Sequence, residues 1–534
     1  RLYAALGGIN AVAVLDTANG RLTGMIPTAW YPSSLALSAD GKRLAVGALL
    51  GAGSGWRDTP KQRYVHSYRG SAAVIDIPDA VQLANYSKAV AENTHLTLKG
   101  RSLRQPVVSG PKPPAKAIPA RPGDPSLIEH VVYIVKENRT YDQLFGDLAE
   151  ADGDPSLVMF GQDVTPNQRA LARRYVLMDR FFATGGNSAN GHQWVTQANE
   201  VAYTLWPAYE GRSYPYDGTD PLAYSRGGFL WDAALKSGKT VKVYGEYAPR
   251  LSEAKPQQRA EYFARWRKGD DFQNDFKVSS PIPPLDALLA RNYPTYTNGV
   301  PDQVRATIFL KDVETWTKLG KMPNLVIVQL PSNHTYGATP GASTPKAMVA
   351  DNDLALGRIV EGLSRSPFWP KMAIFIVEDD AQNGVDHVDG HRTVATVASP
   401  YARRGTIDST FYSHQSILKT IELILGMPAL SLFDLIANDM RACFSDTPNL
   451  EPFTSLTPAQ SLDELNPPVQ ALRGKARQAA IDSARMRWEV PDAAPTERLN
   501  RIVWGMIRGW DKPYPQPPQN VFAPLSLDID DNDR

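Results

Sequence analysis

Short apolar runs rich in β-formers, separated by stretches of helical periodicity, constrain this chain more than any other feature. HVVYIV (130–135), TVKVYG (240–245), NLVIVQL (324–330), MAIFIV (372–377) and TVATVAS (393–399) are each short enough to be a strand and too short for a buried helix. Between the third and fourth, Leu356, Ile359, Val360 and Leu363 fall at i, i+3, i+4 and i+7, on a helix opened by Thr344 and Pro345. A further helix is expected from about Ser416 to Leu425, with Ile417, Ile421 and Ile424 on one face and Gly426 at its stop. Strands that alternate with helices in this way predict an α/β domain built on a largely parallel sheet sandwiched by helices.

The rest of the chain divides around that domain, which we place at 127–445. Residues 1–100 read as short strands, at Ala11–Leu15, Leu35–Leu37, Arg43–Gly47 and Ala72–Ile77, with turn signals at Asn19-Gly20 and Asp40-Gly41. The wording NAVAVLDTANGRLTGMIPTAWYPSSLALSADGKRLAVGAL resembles the repeat of bacterial YVTN-type seven-bladed β-propellers, and GSAAVIDIPD resembles the opening of a further blade. About two repeats cannot close a propeller, so either the chain is the C-terminal part of a longer protein or the missing blades come from a partner chain. Residues 101–126 are rich in Pro, Gly, Lys and Arg and read as a linker. Residues 446–534 read as a Pro-rich, loosely helical wrap ending in the acidic DIDDNDR.

Composition excludes several classes. With 57 Lys and Arg against 56 Asp and Glu, a formal net charge of +1 leaves no electrostatic footprint for nucleic acid or an acidic membrane. No apolar stretch is long enough to span a bilayer, and the residues after Arg1 lack a signal-peptide core, so a periplasmic or secreted location requires a signal already removed. Cys443 is the sole cysteine, so neither an internal disulfide nor a cysteine metal knuckle can form.

Chemistry is concentrated where the apolar runs end. The first ends at Glu137 and Asn138, the third at Asn333 and His334, and the fourth at Glu378, Asp379 and Asp380. In an open α/β sheet ligands bind beyond the carboxyl ends of the strands, so carboxylates, amides and imidazole at three such ends point to a metal centre. Of eight histidines, His192, His334, His387, His391 and His414 fall in or near these loops. The loop RFFATGGNSANGHQW offers Ser188 as a nucleophile, with Thr184 as its rival; Gly185, Gly186 and Gly191 would let backbone approach a tetrahedral oxyanion. A neighbouring divalent cation would lower the hydroxyl pKa towards neutrality.

HVVYIVKENRTYDQLFGDL resembles the opening signature of the phosphoesterase family of bacterial phospholipases C and acid phosphatases, within the alkaline phosphatase superfamily. VEDDAQNGVDHVDGHRT and YSHQSILKTIELILGMP are similar to its later motifs in order and spacing. The resemblance implies an alkaline-phosphatase-like fold and a metal surrounded by Glu137, Asn138, Ser188, Asp379 and Asp380, with Ser188 rather than Thr184 as nucleophile. His334, followed by Gly, Pro and a long helix, resembles a metal-binding segment of nucleotide pyrophosphatases of that superfamily; they carry Asp where this chain has Asn333, a neutral and poorer ligand. His391 resembles the late histidine of the same second metal site. His334, His387 and His391 are therefore read first as phosphate or leaving-oxygen contacts, and His192, Asn333 and His414 as substrate-binding residues. Neither Cys443 nor Ser188 lies in the C-x-P-x-R or S-x-P-x-R motif of sulfatases.

The sequence thus predicts metal-dependent hydrolysis of phosphate esters through a phosphoserine. The metal is left open among zinc, calcium, magnesium and manganese. The alternatives are a phosphodiesterase or phospholipase C acting on lipid head groups or nucleotides, and a non-catalytic propeller-type binding protein.

Overall fold

The computed structural model of the chain describes residues 1–49, 70–94, 113–205, 218–249, 255–382, 384–488, 490 and 492–515. The N-terminal part contains two antiparallel three-stranded sheets: β1 (Leu2–Leu6), β2 (Ala11–Leu15) and β3 (Leu22–Pro27), then β4 (Pro32–Leu37), β5 (Arg43–Ala48) and β6 (Ser71–Asp76). An all-β reading of residues 1–100 is corrected by a helix over Ala80–Thr94. Asp79 opens it by accepting the N–H of Gln82 at 2.8 Å, and the helix lies on β3. Gly24 makes that packing possible, since a Cβ there would stand 2.5 Å from Leu83 Cγ and 2.7 Å from Ser87 Oγ.

The apolar runs form one sheet. Its strands are β7 (His130–Lys136), β10 (Val241–Tyr244), β11 (Leu325–Leu330), β12 (Met372–Glu378) and β13 (Ala395–Ala398), in the order β10-β11-β7-β12-β13. All neighbours are parallel except β13, which runs antiparallel to β12. Every residue of β11, β12 and β13 is buried, which is why these runs are continuously apolar rather than alternating. Two short parallel pairs, β8 (Val176–Met178) with β14 (Thr406–Asp408) and β9 (Phe181–Phe182) with β15 (Tyr412–Ser413), lie apart from the sheet. The helix Pro345–Ser364 starts as expected, with Thr344 Oγ1 accepting the N–H of Ala347 at 3.2 Å. The helix His414–Leu425 begins earlier than its apolar stripe, capped by Ser413, and stops at Gly426, which takes a left-handed φ of 70°.

The flanking segments bind to this core. Residues 101–112 of the Pro-rich stretch and the acidic terminus lie outside the described residues. From 113 onward the stretch does not behave as a free tether: Ala117 and Ile118 are buried in the main core and Lys116 pairs with Asp446 at 2.6 Å. The C-terminal wrap supplies the helices Gly474–Arg485 and Thr496–Arg508; Leu499, Ile502, Val503 and Trp504 of the latter enter a second apolar cluster with Tyr141 and Phe145.

The N-terminal sheets are anchored by two aromatics between β3 and β4. Trp30 packs edge-on against Phe182 and His391, with ring centroids 4.9 and 4.8 Å apart, and Tyr31 packs against Trp194 and Phe433. Trp30→Ala is expected to cost about 3 kcal/mol at this junction. Limited proteolysis should then release the first hundred residues much faster than in the wild type, and equal cleavage rates would show that the anchor lies elsewhere.

Candidate active site

Each parallel strand of the sheet ends in a distorted turn. Asn138 after β7, Tyr247 after β10, Thr335 after β11 and Gln382 after β12 all have positive φ, between 47° and 74°. Such conformations cost non-glycine residues of the order of 1–2 kcal/mol each. Their clustering at one edge marks the place where the chain gives up local comfort to aim side chains.

The glycine-rich loop that leads into Ser188 meets that edge directly. Gly185 forms an isolated parallel bridge with Asp380. A Cβ on Gly185 would stand 2.4 Å from the Gly191 nitrogen, and one on Gly191 would stand 2.4 Å from the Asp379 carbonyl oxygen. The two glycines therefore let the start of the helix Ser188–Gln197 seat on the end of β12. Ser188, the first residue of that helix, donates its hydroxyl to Asp380 Oδ2 at 3.1 Å. Asn138 Nδ2 holds the same carboxylate at 2.8 and 2.9 Å and lies 3.4 Å from Ser188 Oγ. Thr184 has its hydroxyl committed to Gln415 at 2.9 Å.

Beside this pair lies a buried acidic cluster. Glu137, His192 and Asp379 present ligand atoms all within 4.8 Å of one another. His192 Nε2 stands 3.5 Å from Glu137 Oε1 and 3.4 Å from Asp379 Oδ2, while its Nδ1 is 2.7 Å from Glu246 Oε1. Glu137 Oε2, Asn138 Oδ1 and both carboxylate oxygens of Asp379 are buried without a hydrogen-bond donor among the described residues. Buried oxygens left in that state are costly, and a divalent cation is the partner that this donor set fits. Burial, reinforced by the charges of Asp380 and Glu246, pushes Glu137 up to about 7 despite its bond to His192. Burial and the charge of Asp492 do the same for Asp380, also to about 7, and burial with the charges of Asp380 and Glu137 raises Asp379 well above its usual value. Burial alone would lower His192, but the Glu246 charge and the bond to Glu137 outweigh it and raise the imidazole well above its usual value.

The remaining histidines separate. His414 has both nitrogens engaged by backbone: Nε2 is 3.0 Å from the Glu378 carbonyl, and Nδ1 accepts the Thr184 N–H at 3.3 Å. Burial lowers it to about 4, so it is neutral and fixes the loop rather than offering a nitrogen to a substrate. His387 lies 2.7 Å from Asp142 and 3.1 Å from Asp152. It belongs to a network centred on Arg392, which also bonds Asp142 and Asp386. That acid group resembles a metal site in composition, but its carboxylates already accept N–H bonds from Arg392, His387 and nearby backbone. His391 bonds Asp389 at 2.9 Å through Nδ1, and its carbonyl accepts the Ala183 N–H, tying it to the loop that leads into Ser188. His334 sits on the β11 side, its Nε2 3.5 Å from the Gln382 amide nitrogen, whose backbone N–H bonds Asp380. Asn333 does not face the cation cluster. It donates to Glu378 at 2.9 Å, and Glu378 is paired at 2.7 Å with the buried Lys136.

Two residues were not singled out from sequence. Glu246 follows the apolar run TVKVYG as Glu137 follows HVVYIV, so its position after a strand was a usable signal. Asp492, whose Oδ2 accepts the Ala189 N–H at 3.4 Å, comes from the C-terminal wrap and carried no such signal.

The sequence model of the Phosphoesterase family matches residues 150–428, more than half of the chain. No curated protein matches it. Among solved structures, similar ones include a protein of the alkaline phosphatase superfamily from Vibrio parahaemolyticus, at 18% identity, covering 59% of this chain and 69% of that one with a TM-score of 0.39. The phosphonate monoester hydrolase of Agrobacterium radiobacter has 14% identity, 60% and 78% coverage and a TM-score of 0.38. The PsFucS1 sulfatase from Pseudoalteromonas sp. has 12% identity, 63% and 76% coverage and a TM-score of 0.37.

Glu137 and Asp380 titrate higher in the folded chain than their ordinary values of 4.5 and 3.8. The folded chain, free of a cation, therefore holds extra protons between those values and about 7, and loses stability as pH rises through that window. A cation that balances the carboxylates removes the loss. Zinc or manganese added to chelator-treated protein is expected to raise Tm more at pH 8 than at pH 5, and an equal gain at both would refute the assignment of the cluster. Glu246→Gln should weaken cation binding about 10- to 100-fold in equilibrium dialysis, since it removes the carboxylate that orients His192.

Proposed function

The chain belongs to the phosphoesterase family, and on that premise we propose that it is a metal-dependent hydrolase of phosphate esters working through a phosphoserine at Ser188. The observation that carries this reading is the contact of Ser188 Oγ with Asp380 at 3.1 Å, beside the buried oxygens that have no donor. Asp380, which accepts the Ser188 hydroxyl hydrogen bond, takes the hydroxyl proton. Asn138 holds that carboxylate in place with two bonds. Ser188 Oγ then bonds to phosphorus as the ester P–O bond breaks, and the alcohol departs with a proton given by His391, which the attacking water replaces in the second half while Asp380 returns its proton to Ser188. Water cleaves the phosphoserine in the second half, returning the hydroxyl and releasing phosphate.

Glu137, Asn138, His192 and Asp379 would hold the cation, with Ser188 and Asp380 adjoining. When bound it supplies Lewis acidity that lowers the Ser188 pKa and balances charge on the phosphoryl group. One imidazole among oxygen donors suits zinc or manganese better than calcium. His391, tied by Asp389 and by the nucleophile loop, is the residue we assign to the leaving oxygen.

Ser188→Ala removes one hydrogen bond to Asp380 and should cost about 1 kcal/mol of stability, leaving the chain folded, while lowering kcat by at least about 1,000-fold. Rapid acid quench of the wild type with a radiolabelled ester should leave phosphate on a peptide containing Ser188. Turnover retained by the alanine variant would overturn the covalent route.

A further inference from the structure

Two neighbouring residues of the connection between β3 and β4 reach into the α/β domain, and both N-terminal sheets fix them. Tyr31 donates its N–H to Asn10 Oδ1 at 2.9 Å, and its carbonyl accepts the Leu49 N–H at 3.0 Å. Asn10 lies between β1 and β2 and Leu49 directly follows β5, so one tie goes to each sheet. Tyr31 holds a left-handed φ of 58°, a conformation that costs a non-glycine residue and persists only where the surroundings impose it. The side chain of Trp30 is thereby aimed at the approach to Ser188. It meets Phe182 at 4.9 Å and His391 at 4.8 Å between ring centroids, with the indole and imidazole planes 89° apart.

The imidazole of His391 is hydrogen-bonded at one nitrogen. Asp389 Oδ1 accepts both the backbone N–H of His391 and its Nδ1 proton, at 2.9 Å each, which leaves Nε2 as the nitrogen that exchanges a proton. Nε2 is buried and has no hydrogen-bond partner among the described residues. The His391 carbonyl accepts the Ala183 N–H and Arg392 bridges Phe182, so the backbone is tied to the loop that leads into Ser188. Those bonds do not set the tilt of the ring, because an imidazole held through one nitrogen still swings about that contact. Among the described residues Trp30 is the ring packed against it, and edge-to-face packing fixes its angle as well as its position.

From this contact we infer that Trp30 is a positioning residue for proton transfer by His391, and that the N-terminal sheets are thereby a working part of the active site rather than an appended module. The inference rests on the hydrolase reading above, in which His391 gives its proton to the departing alcohol. A proton donor displaced by about 1 Å loses on the order of 100-fold in rate. That loss falls on alcohols that cannot leave as anions, since only they need the proton in the transition state.

The test compares kcat/KM, which reports the half-reaction that expels the alcohol, for phenyl and p-nitrophenyl esters of phosphate in the full chain loaded with zinc or manganese. The monoester or the diester pair is used, according to which the wild type hydrolyses. Phenol needs a proton to depart, whereas p-nitrophenolate leaves readily without one, so His391→Ala should lower the phenyl value about 100-fold more than the nitrophenyl value. Trp30→Ala should lower the phenyl value about tenfold more than the nitrophenyl value, and should add nothing to that difference in the His391→Ala background. Trp30→Phe, which keeps an aromatic ring, should restore most of it. If Trp30→Ala does not fold, Trp30→Leu, which keeps bulk without a ring plane, carries the same expectation. Tyr31→Ala loosens the same junction through Trp194 and Phe433 and should lower both esters by one factor. Trp30 variants that lower both esters equally while His391→Ala separates them, or a Tyr31→Ala variant that separates them as strongly as Trp30→Ala, would overturn the inference and leave the hydrolase reading in place. Failure of His391→Ala to separate the esters would remove the role of His391 and the inference with it. Hydrolysis of neither pair by the wild type would remove the hydrolase reading as well.

Discussion

The structure is organised around charge that has been taken out of water. Glu137, Glu246, Glu378, Asp379 and Asp380 are all fully buried at one edge of the sheet. Two carboxylates 4 Å apart repel by about 4 kcal/mol even at an effective dielectric of 20. An arrangement of this kind persists only where each charge is answered. Lys136 answers Glu378 and His192 answers Glu246, while Asn138 and Ser188 hydrogen-bond Asp380. The oxygens of Asp379 and the second oxygen of Glu137 are the part of the balance that the described side chains leave open.

Holding that charge requires a rigid frame on every side. β7 and β12 are adjacent and parallel in exact register from His130 to Lys136, so the residues that follow them, Glu137 and Asp379, emerge side by side. The positive φ values after the parallel strands then turn the next side chains inward. Strain of a few kcal/mol is tolerated because strands buried on both faces cannot relax it. The helix Ser188–Gln197 completes the frame without a strand of its own, seated through two glycines that have no room for a Cβ.

How much of this could be read in advance follows from how local each signal is. The strands of the sheet and the helix Pro345–Ser364 were legible because a buried strand and an amphipathic helix each declare themselves within a few residues. That Glu137, Asn138, Asp379 and Asp380 would meet at one edge of the sheet was legible for the same reason, since a polar pair directly after an apolar run sits where the strand ends. The helix Ala80–Thr94 was missed because its stripe of Leu83, Ser87 and Val90 is weakly apolar and its partner is a distant glycine in β3. His192 was expected to meet substrate rather than the acidic cluster, because Glu246, its orienting partner, lies 54 residues away. Asp492, 303 residues from Ala189, could not be connected to the start of that helix by any local pattern. Trp30 was invisible in the same way: nothing near it in the chain says that it will rest on Phe182 and His391.

The register of β7 with β12 also has a consequence in time. Asn138 meets Asp380 across 242 residues, and Ser188 meets it across 192. A ribosome at roughly 5–20 residues per second delivers the serine well before the aspartate that it hydrogen-bonds. Through that interval the growing chain carries Ser188 without Asp380, and the parallel pairing that unites them is among the slowest kinds of contact to form. The contact is therefore deferred until most of the sheet has been synthesised, and an incomplete chain ending before β12 lacks it by the order of its own strands.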